Sequence, residues 1–493
     1  MNNIVKERIL SEARQAAKRP QREAFNEIVA QKSTNTLKKE LIDTLLSDIQ
    51  KEDVATICKR YGWSPSFDKD GNEKPPTQTA MKVAIIKHLI DTSTSKSWKI
   101  AKDGDFIYLY NGAFWLSFTK EDIIYFLERF AIKVGVPPIV AADEAFLEKL
   151  YKQLQKESYF GDKKEHSNKN LINLQNGTFE IEHLQLRQFD YKDFLTYQLP
   201  YSYKEEAVNA KWQRFLDEVL PNKETQRTLQ EVLGSIFVRD IKLEYAFFLY
   251  GSGQNGKSVV MEVITSLLGK ENVSNFSLEQ LMEEHNRALI KDKLLNFGSE
   301  SDLKKIDIQQ FKALASGEPI QARLKYGNSF MMENYAKLIF NVNKLQLSEI
   351  EYTKGFFRRF LIIPFNITIP AQRVDKRLHK KIIAAGGEGI LNWIIEGAKR
   401  VIEQEDIFIS QECKEAKENF IKEIDSVLQF LEDKSYKKGI TSKRYTSRLY
   451  NEYKSYCYES GFKPLNVKNF SNRLIALGFD KRRDSQGAYF LFE

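Results

Sequence analysis

The chain has 493 residues, 42% of them hydrophobic and 29% charged, a composition typical of a folded globular protein. No apolar run approaches the roughly 20 residues of a membrane helix, and no apolar stretch follows Lys6 and Arg8 as in a secretory signal. We therefore expect a cytoplasmic protein with no membrane partner. Three scattered cysteines exclude a disulfide framework and give no zinc-ligand spacing. The net charge of +8 and the pI near 8.9 mildly favour binding to a polyanion.

Residues 1–95 have apolar residues at helical spacing, for example over Thr36–Lys51 and Val54–Arg60, and this predicts a helical N-terminal accessory module. A turn-rich stretch follows over residues 64–76. It contains Asp68 and Asp70, but no further ligand follows at the spacing of a calcium loop. We interpret it as a solvated turn.

Residues 96–205 alternate strand-like and helical patterns, which predicts a mixed α/β domain. Asn111-Gly112 and Asn176-Gly177 each lie between two strand-like runs, so two β-hairpins with type I′ turns are expected. Residues 206–240 show apolar residues at helical spacing. They predict either a helical collar or helices packed on the following domain, and the sequence leaves both open.

Residues 241–408 contain the P-loop pattern G-x-x-x-x-G-K-[ST], with a strand-like run before it and a helical run after it. In such a loop backbone N–H groups surround a triphosphate, the lysine contacts the outer phosphates and the hydroxyl of the last residue binds Mg²⁺. The sequence therefore predicts ATP and Mg²⁺ as cofactors. The predicted nucleotide-binding residues are Gly251, Ser252, Gly253, Gln254, Asn255, Gly256, Lys257 and Ser258.

Three polar positions follow the P-loop in order. Glu300 ends a buried-type strand, where a carboxylate orients water and holds Mg²⁺ opposite Ser258, and Asp302 is the reserve candidate. Asn343 ends the next strand, where its amide positions the attacking water. Arg358 and Arg359 precede a β-run, as an arginine finger offered to a neighbouring subunit requires.

Residues 409–493 predict a linker helix and then helix, turn, helix and a β-ribbon with a basic tip, which is the pattern of a winged helix-turn-helix. The other interpretation is a helical oligomerisation tail. In the winged-helix interpretation several basic residues are expected to contact DNA phosphates. They are Lys443, Arg444, Lys468, Arg473, Lys481, Arg482 and Arg483.

The sequence resembles the superfamily III helicases, specifically the phage, plasmid and poxvirus primase-helicase branch. The match lies in GSGQNGKS at 251–258, the strand ending in Glu300, FKALASGEPIQAR at 311–323, the strand ending in Asn343 and FFRRFLIIPF at 356–365. The resemblance extends over about 100–480 and implies an AAA+-like hexameric ring that moves 3′ to 5′ on single-stranded DNA. It implies that Glu300 is the acid, Asn343 the sensor and Arg358 or Arg359 the finger. Gln346 departs from the proline that relatives tend to have after the sensor.

Residues 323–334 predict two strands around a Gly-Asn turn, and in relatives such a hairpin projects into the ring channel. Lys325 could contact a phosphate and Tyr326 could stack on a base, which is the chemistry of sequence-tolerant binding to single strands. Arg323 is a further candidate for DNA contact. An ordinary surface hairpin is the alternative.

The predicted fold class is multidomain α/β, with a P-loop AAA+-like core, helical and α/β N-terminal regions and a C-terminal winged helix. The predicted function is an ATP-dependent replicative DNA helicase of a phage or other mobile element in a bacterial host, acting on single-stranded and forked DNA as a homo-hexamer. The alternative is an ATP-switched replication initiator or loader without processive unwinding. A small-molecule kinase is disfavoured by the paired arginines and the hairpin. No primase domain is expected within residues 1–95, so a separate primase or polymerase is a candidate partner.

Overall fold

A computed structural model describes residues 34–96, 98–104, 106–158, 170–299, 306–325, 327–333, 335–343 and 354–493. The chain divides into two compact units, with the boundary between Glu205 and Glu206. Of the predicted site residues, Glu300 with its reserve Asp302, and Tyr326, lie outside the described residues. Gln346 lies outside them as well.

The first unit consists of helices and two small antiparallel sheets, with strand orders β1-β2-β3 and β4-β5-β6. Its described helices are α1 (Thr34–Ser47), α2 (Val54–Arg60), α3 (Gln78–Ser95), α4 (Lys120–Lys133), α5 (Pro138–Ala141) and α6 (Glu144–Glu157). Its described strands are β1 (Lys99–Asp103), β2 (Phe106–Tyr110), β3 (Trp115–Phe118), β4 (Leu171–Leu174), β5 (Gly177–Glu180) and β6 (Gln185–Arg187).

One hydrophobic core of this unit includes side chains from Leu41 in α1 to Leu154 in α6. The helices before residue 95 therefore share buried surface with the helices and strands after it. The predicted division at residue 95, like the other predicted domain limits, stays a prediction.

Both predicted hairpins are confirmed, but neither has a two-residue turn made of its Asn-Gly pair. Between β2 and β3 the loop has four residues, because the Asn111 side chain accepts hydrogen bonds from the backbone N–H groups of Ala113 and Phe114, each at 2.9 Å. In the second hairpin Leu174 pairs with Gly177, so the turn shifts by one residue to Gln175-Asn176.

The second unit contains a five-stranded parallel sheet in the order β13-β7-β12-β9-β8. Its strands are β7 (Ala246–Tyr250), β8 (Val273–Ser274), β9 (Leu295–Ser299), β12 (Lys337–Val342) and β13 (Phe360–Pro364), and β10 (Ile320–Arg323) pairs with β11 (Ser329–Met332) as a separate hairpin. The described helices up to residue 424 are α7 (Ala210–Val219), α8 (Lys223–Gly234), α9 (Lys257–Leu268), α10 (Glu284–Ala288), α11 (Ile308–Ala315), α12 (Lys354–Phe357), α13 (Leu378–Ile383), α14 (Gly387–Gln404) and α15 (Gln411–Ile424).

The sheet is buried by aromatic packing on one of its faces. Phe248 on β7 stacks on Phe360 of β13, with ring centroids 4.7 Å apart, and lies 5.5 Å from Phe340 on β12. These three side chains belong to one core that also includes Phe311 of α11. Parallel strands of this kind are buried on both faces, so their sequences are nearly continuous apolar runs. These runs allowed the strands to be predicted from the sequence.

The C-terminal segment places α16 (Ser426–Asp433), α17 (Thr446–Glu459) and α18 (Val467–Ala476) around their own hydrophobic core. A three-stranded antiparallel sheet in the order β14-β16-β15 accompanies them. Its strands are β14 (Lys438–Tyr445), β15 (Lys481–Asp484) and β16 (Gly487–Phe492). The two predicted helices and the terminal β-ribbon are therefore confirmed as elements, and the winged helix stays a prediction. Among the described residues no helix is long and apolar enough to cross a membrane.

Candidate functional site

The P-loop lies at the carboxyl edge of the parallel sheet. The register aligns the last residues of three strands, because Tyr250 of β7 pairs with Val342 of β12 on one side and with Pro364 of β13 on the other. The N–H of Gly251 donates to the Val342 carbonyl at 3.2 Å, so the loop begins in contact with the end of β12. Open parallel sheets bind ligands outside the carboxyl ends of their strands.

Glycines are required at both ends of the loop. A Cβ on Gly251 would lie 2.2 Å from Asn255 Nδ2 and 2.5 Å from the Phe365 carbonyl oxygen. Gly256 has φ +86°, and a Cβ there would lie 2.7 Å from Val219 Cγ1 of α7. The chain therefore turns tightly against α7 and β13 only with glycine at these two positions.

Lys257 is 2% exposed, and its ammonium group lies inside the loop. Its Nζ donates to the Gly251 carbonyl at 2.7 Å, to Asn255 Oδ1 at 2.9 Å and to Asn343 Oδ1 at 3.3 Å. Burial lowers the pKa of Lys257 to about 8, since the charged form is desolvated. Three neutral oxygens thus hold a buried cation that an anionic phosphate would stabilise further.

Asn255 anchors the loop to the end of β13, the edge strand that pairs with β7. It is 3% exposed, its Nδ2 donates to the Phe365 carbonyl at 3.1 Å, and its Oδ1 accepts from Lys257. A second anchor is the N–H of Ile369, which donates to the Gln254 carbonyl at 2.7 Å. The P-loop pattern leaves position 255 unspecified, so it does not predict this positioning role.

The loop leads directly into α9, whose first residue is Lys257. Among the described residues no side chain caps this helix, so the N–H groups of its first turn remain for a ligand. Ser258 is exposed in that turn, as are Ser252 and Gln254 in the loop, whereas Gly253 is partly exposed. A helix N-terminus with free N–H groups, a lysine and a hydroxyl fits a magnesium-bound triphosphate.

Asn343 is the predicted sensor, and it is exposed directly after β12. Because β12 lies between β7 and β9, this residue is positioned between the P-loop and the end of β9 at Ser299. The predicted acid Glu300 is the next residue after β9. The order of the strands therefore brings the ends of the three predicted motifs to one edge, while the position of the Glu300 side chain stays a prediction.

The two arginines before β13 have different environments. Arg359 is 7% exposed, with Nε donating to Ser316 Oγ at 2.9 Å, Nη1 donating to the Gly355 carbonyl at 2.6 Å and Nη2 lying 3.7 Å from Glu244 Oε2. The side chain of Arg358 is 61% exposed and contacts Glu244 Oε2 at 2.5 Å. Of the two candidates, Arg359 is bound within its own chain and Arg358 faces solvent.

The β10–β11 hairpin is confirmed, with Arg323 paired to Ser329 next to the turn. Lys325 is exposed in the turn, and Arg323 is half-exposed with its Nε 3.7 Å from Glu284 Oε2.

The base of the hairpin is held by Arg287, which is 3% exposed. Its guanidinium group donates hydrogen bonds to three carbonyls and to one side-chain oxygen. The acceptors are the carbonyls of Gln321, Leu281 and Met282 and the Oε1 atom of Gln310. Nothing in the sequence pattern pointed to Arg287.

The predicted basic residues of the C-terminal segment differ in their availability. Arg482 pairs with Asp480 at 2.9 Å, Lys481 donates to Ser471 Oγ at 2.6 Å, and Arg483 is exposed on β15.

Arg473 was expected to be a surface cation, and this prediction is wrong. Its guanidinium pairs at 2.5 Å with the fully buried carboxylate of Asp425. This buried ion pair fixes α18 to the start of α16.

Lys443 lies over the Tyr489 ring, 4.3 Å from its centroid, and contacts Asp484. Its ammonium group is therefore shared between an aromatic face and a carboxylate. Exposed basic residues occur along the whole segment, and three of them, Lys481, Arg482 and Arg483, follow one another on β15.

Three segments of the chain match known protein families. Residues 249–359 match a family of unknown function, DUF5906, and these residues run from the P-loop strand to Arg359. Residues 87–221 match the model "D5 N terminal like", and residues 422–490 match "Poxvirus D5 protein-like". The two D5 matches support the phage and poxvirus primase-helicase branch of the resemblance.

Two solved structures of the NrS-1 C-terminal region align with this chain at low structural similarity and low sequence identity. "The A form apo structure of NrS-1 C terminal region-CTR" is 12% identical with a TM-score of 0.46, over 83% of this chain and 98% of that one. "The apo structure of NrS-1 C terminal region (305-718)" is 11% identical with a TM-score of 0.42, over 83% of this chain and 98% of that one.

Proposed function

We propose that this protein is an ATP-driven DNA helicase that works as a hexameric ring on single-stranded DNA during replication of a phage or other mobile element. The observation that carries the proposal is the contact between Lys257 and Asn343. It joins the P-loop to the end of β12, and this supports a shared role of the lysine and the predicted sensor at one phosphate. The D5 matches on either side of this region support a role in DNA replication.

The residues of the loop suggest how ATP would be held. The N–H groups at the start of α9 would donate to the phosphate oxygens, and Lys257 would exchange its carbonyl and amide partners for them. Ser258 and Glu300 are the residues we propose to hold Mg²⁺, which supplies charge neutralisation on the phosphates. Asn343 would position the attacking water, since its exposed amide is next to the Lys257 ammonium group.

We assign the arginine finger to Arg358. A finger acts on the nucleotide of an adjacent subunit, so its guanidinium must leave its own subunit's surface. Arg358 is held there by a single exposed ion pair with Glu244, which is weak enough to exchange. Arg359 would have to abandon three contacts in a buried position, so we assign it the role of fixing the start of β13.

We propose that two surfaces contact DNA. One is the β10–β11 hairpin, with Lys325, Tyr326 and Arg323, and the other is the strand β15, with Lys481, Arg482 and Arg483.

The helicase function is tested by measuring strand displacement on a forked DNA substrate. ATP-dependent displacement supports a helicase. An initiator or loader would bind the fork and hydrolyse ATP without displacing the strand.

Replacing Lys325 and Tyr326 together by alanine should abolish most unwinding and most stimulation of the ATPase by DNA, while basal ATP hydrolysis survives. Lys325 is exposed in the hairpin turn, away from the loop that holds Lys257. Removing one phosphate contact should also make single-strand binding less steeply dependent on salt, since fewer counterions are released. Fluorescence anisotropy across a salt series and steady-state ATPase assays measure both effects.

The control for this double variant is Lys399→Ala, since Lys399 is a half-exposed lysine on α14 that pairs with Glu403. It should leave unwinding and the salt slope unchanged. Loss of basal ATPase together with DNA binding in the hairpin variant would show that the hairpin is structural.

Asn255→Ala should lower kcat for ATP by about 10²-fold, because a loop released from Phe365 misplaces the lysine by a distance that catalysis does not tolerate. Asn255→Asp keeps an acceptor for Lys257 but loses the donor to Phe365 and places a carboxylate near the phosphates, so it should also raise KM for ATP. Steady-state ATPase assays separate kcat from KM. Wild-type values of kcat and KM in both variants would show that Asn255 has no role in ATP hydrolysis.

A further inference from the structure

Asn341 lies near the carboxyl end of β12, the strand that leads to the predicted sensor Asn343. It pairs with Leu249 of β7 on one side and with Ser299 of β9 on the other. Its backbone is therefore between the strand that enters the P-loop and the strand that precedes the predicted acid. The P-loop pattern assigns no role to this residue.

The Oδ1 atom of Asn341 is buried and accepts no hydrogen bond from any described residue. Asn296 on the neighbouring strand β9 shows the contrast, since it is completely buried and fully engaged. Its Oδ1 accepts from Ser274 Oγ at 2.9 Å and from the Phe276 N–H at 3.0 Å, and its Nδ2 donates to the Phe276 carbonyl at 2.8 Å. A buried oxygen without a partner costs folding free energy, and violations of this kind are expected at functional sites.

The alternation of side chains along β12 places Asn341 on the same face of the sheet as Asn343. Phe340 and Val342, which alternate with them, belong to the aromatic core on the opposite face. The Oδ1 atom of Asn343 accepts from Lys257 Nζ at 3.3 Å. Cα atoms two residues apart in a strand are separated by about 6.6 Å, a gap that two asparagine side chains leaning toward each other can close.

We propose that Asn341 is a positioning residue for the predicted sensor, and that its Oδ1 accepts a hydrogen bond from Nδ2 of Asn343 when a nucleotide is bound. Lys257 then turns to the phosphates and releases the Asn343 amide. The two ends of an amide differ in that one donates and the other accepts, so the Asn341 oxygen selects the NH₂ end. The Asn343 oxygen is left to accept from the attacking water. This inference rests on the proposed ATPase function.

The test is Asn341→Leu in the full chain, alone and combined with Asn343→Ala, in steady-state ATPase assays. We expect Asn341→Leu to lower kcat by about ten-fold, the rate equivalent of one neutral hydrogen bond, with KM for ATP unchanged. Asn343→Ala alone should lower kcat by about 10²-fold. Adding Asn341→Leu to it should cause no further loss, because Asn341 acts only through the sensor. Asn341→Thr keeps an acceptor oxygen and should retain part of the rate that Asn341→Leu loses.

Thermal unfolding separates this role from a structural one. Asn341→Leu should raise the unfolding temperature, since an oxygen without a partner is replaced by an apolar group of similar size. Asn296→Leu should lower it, because Ser274 and the backbone of Phe276 lose their partner. Wild-type kcat in Asn341→Leu, or a further loss when it is combined with Asn343→Ala, overturns the proposal. Failure of the proposed function is seen separately, as wild-type turnover in Lys257→Ala.

Discussion

Lys257→Ala should reduce ATP turnover by about 10²-fold or more, which in a standard assay is loss of activity. The physical reason is the loss of a buried cation aimed at the phosphates, and removal of one such preorganised group typically costs this much. The fold should remain, because the loop is anchored by Asn255 on Phe365 and by the two close glycine contacts and not by the lysine. ATPase assays measure the loss of turnover, and circular dichroism shows whether the fold is retained.

The control for this variant is Lys399→Ala, which removes a lysine from α14 without touching the loop. Nucleotide binding should also be measured with a fluorescent ATP analogue, since the loss of Lys257 weakens affinity as well as turnover. Wild-type turnover in a well-folded Lys257→Ala protein would exclude this loop as the site of hydrolysis. A protein that does not fold would instead show that the three contacts of the ammonium group stabilise the loop.

Local features of the sequence located most of the elements. The P-loop is a contiguous motif, so its strand, loop and helix were predicted together, and β7 and α9 confirm them. The hairpins were predicted from Asn-Gly pairs, and only the length of the first loop and the position of the second turn, by one residue, were wrong. The apolar runs of β12 and β13 were recognisable because both faces of a parallel sheet are buried.

Contacts between residues distant in sequence could not be predicted. Arg358 and Arg359 are adjacent and chemically equal in the sequence, yet Ser316, 43 residues away, binds one, and Glu244, 114 residues away, holds the other at the surface. Arg473 likewise was expected at the surface because its partner Asp425 is 48 residues away. The strand order that brings Asn343 beside Lys257 is a property of the sheet and not of any segment.

Arg358→Ala should bind ATP normally and hydrolyse it about 10³-fold more slowly, as expected for loss of an arginine finger. The ion pair with Glu244 is exposed, so its loss should change the free energy of unfolding little. Arg359→Ala is the informative comparison. It leaves Ser316 and the Gly355 carbonyl without a buried partner, which costs about 1–3 kcal/mol, and it should lower thermal stability where Arg358→Ala does not.

Mixing Arg358→Ala with Lys257→Ala should restore part of the ATPase activity, although each protein alone is inactive. The first contributes an intact P-loop and the second an intact arginine, and in a head-to-tail ring these meet at about one interface in four when equal amounts mix at random. Subunit exchange is confirmed separately by energy transfer between labelled proteins. If the subunits exchange and the mixture stays as inactive as its components, Arg358 does not act on a neighbouring subunit. The assignment of the finger to the exposed arginine then fails, while the prediction for Lys257 is unaffected, because that residue acts on the nucleotide of its own subunit.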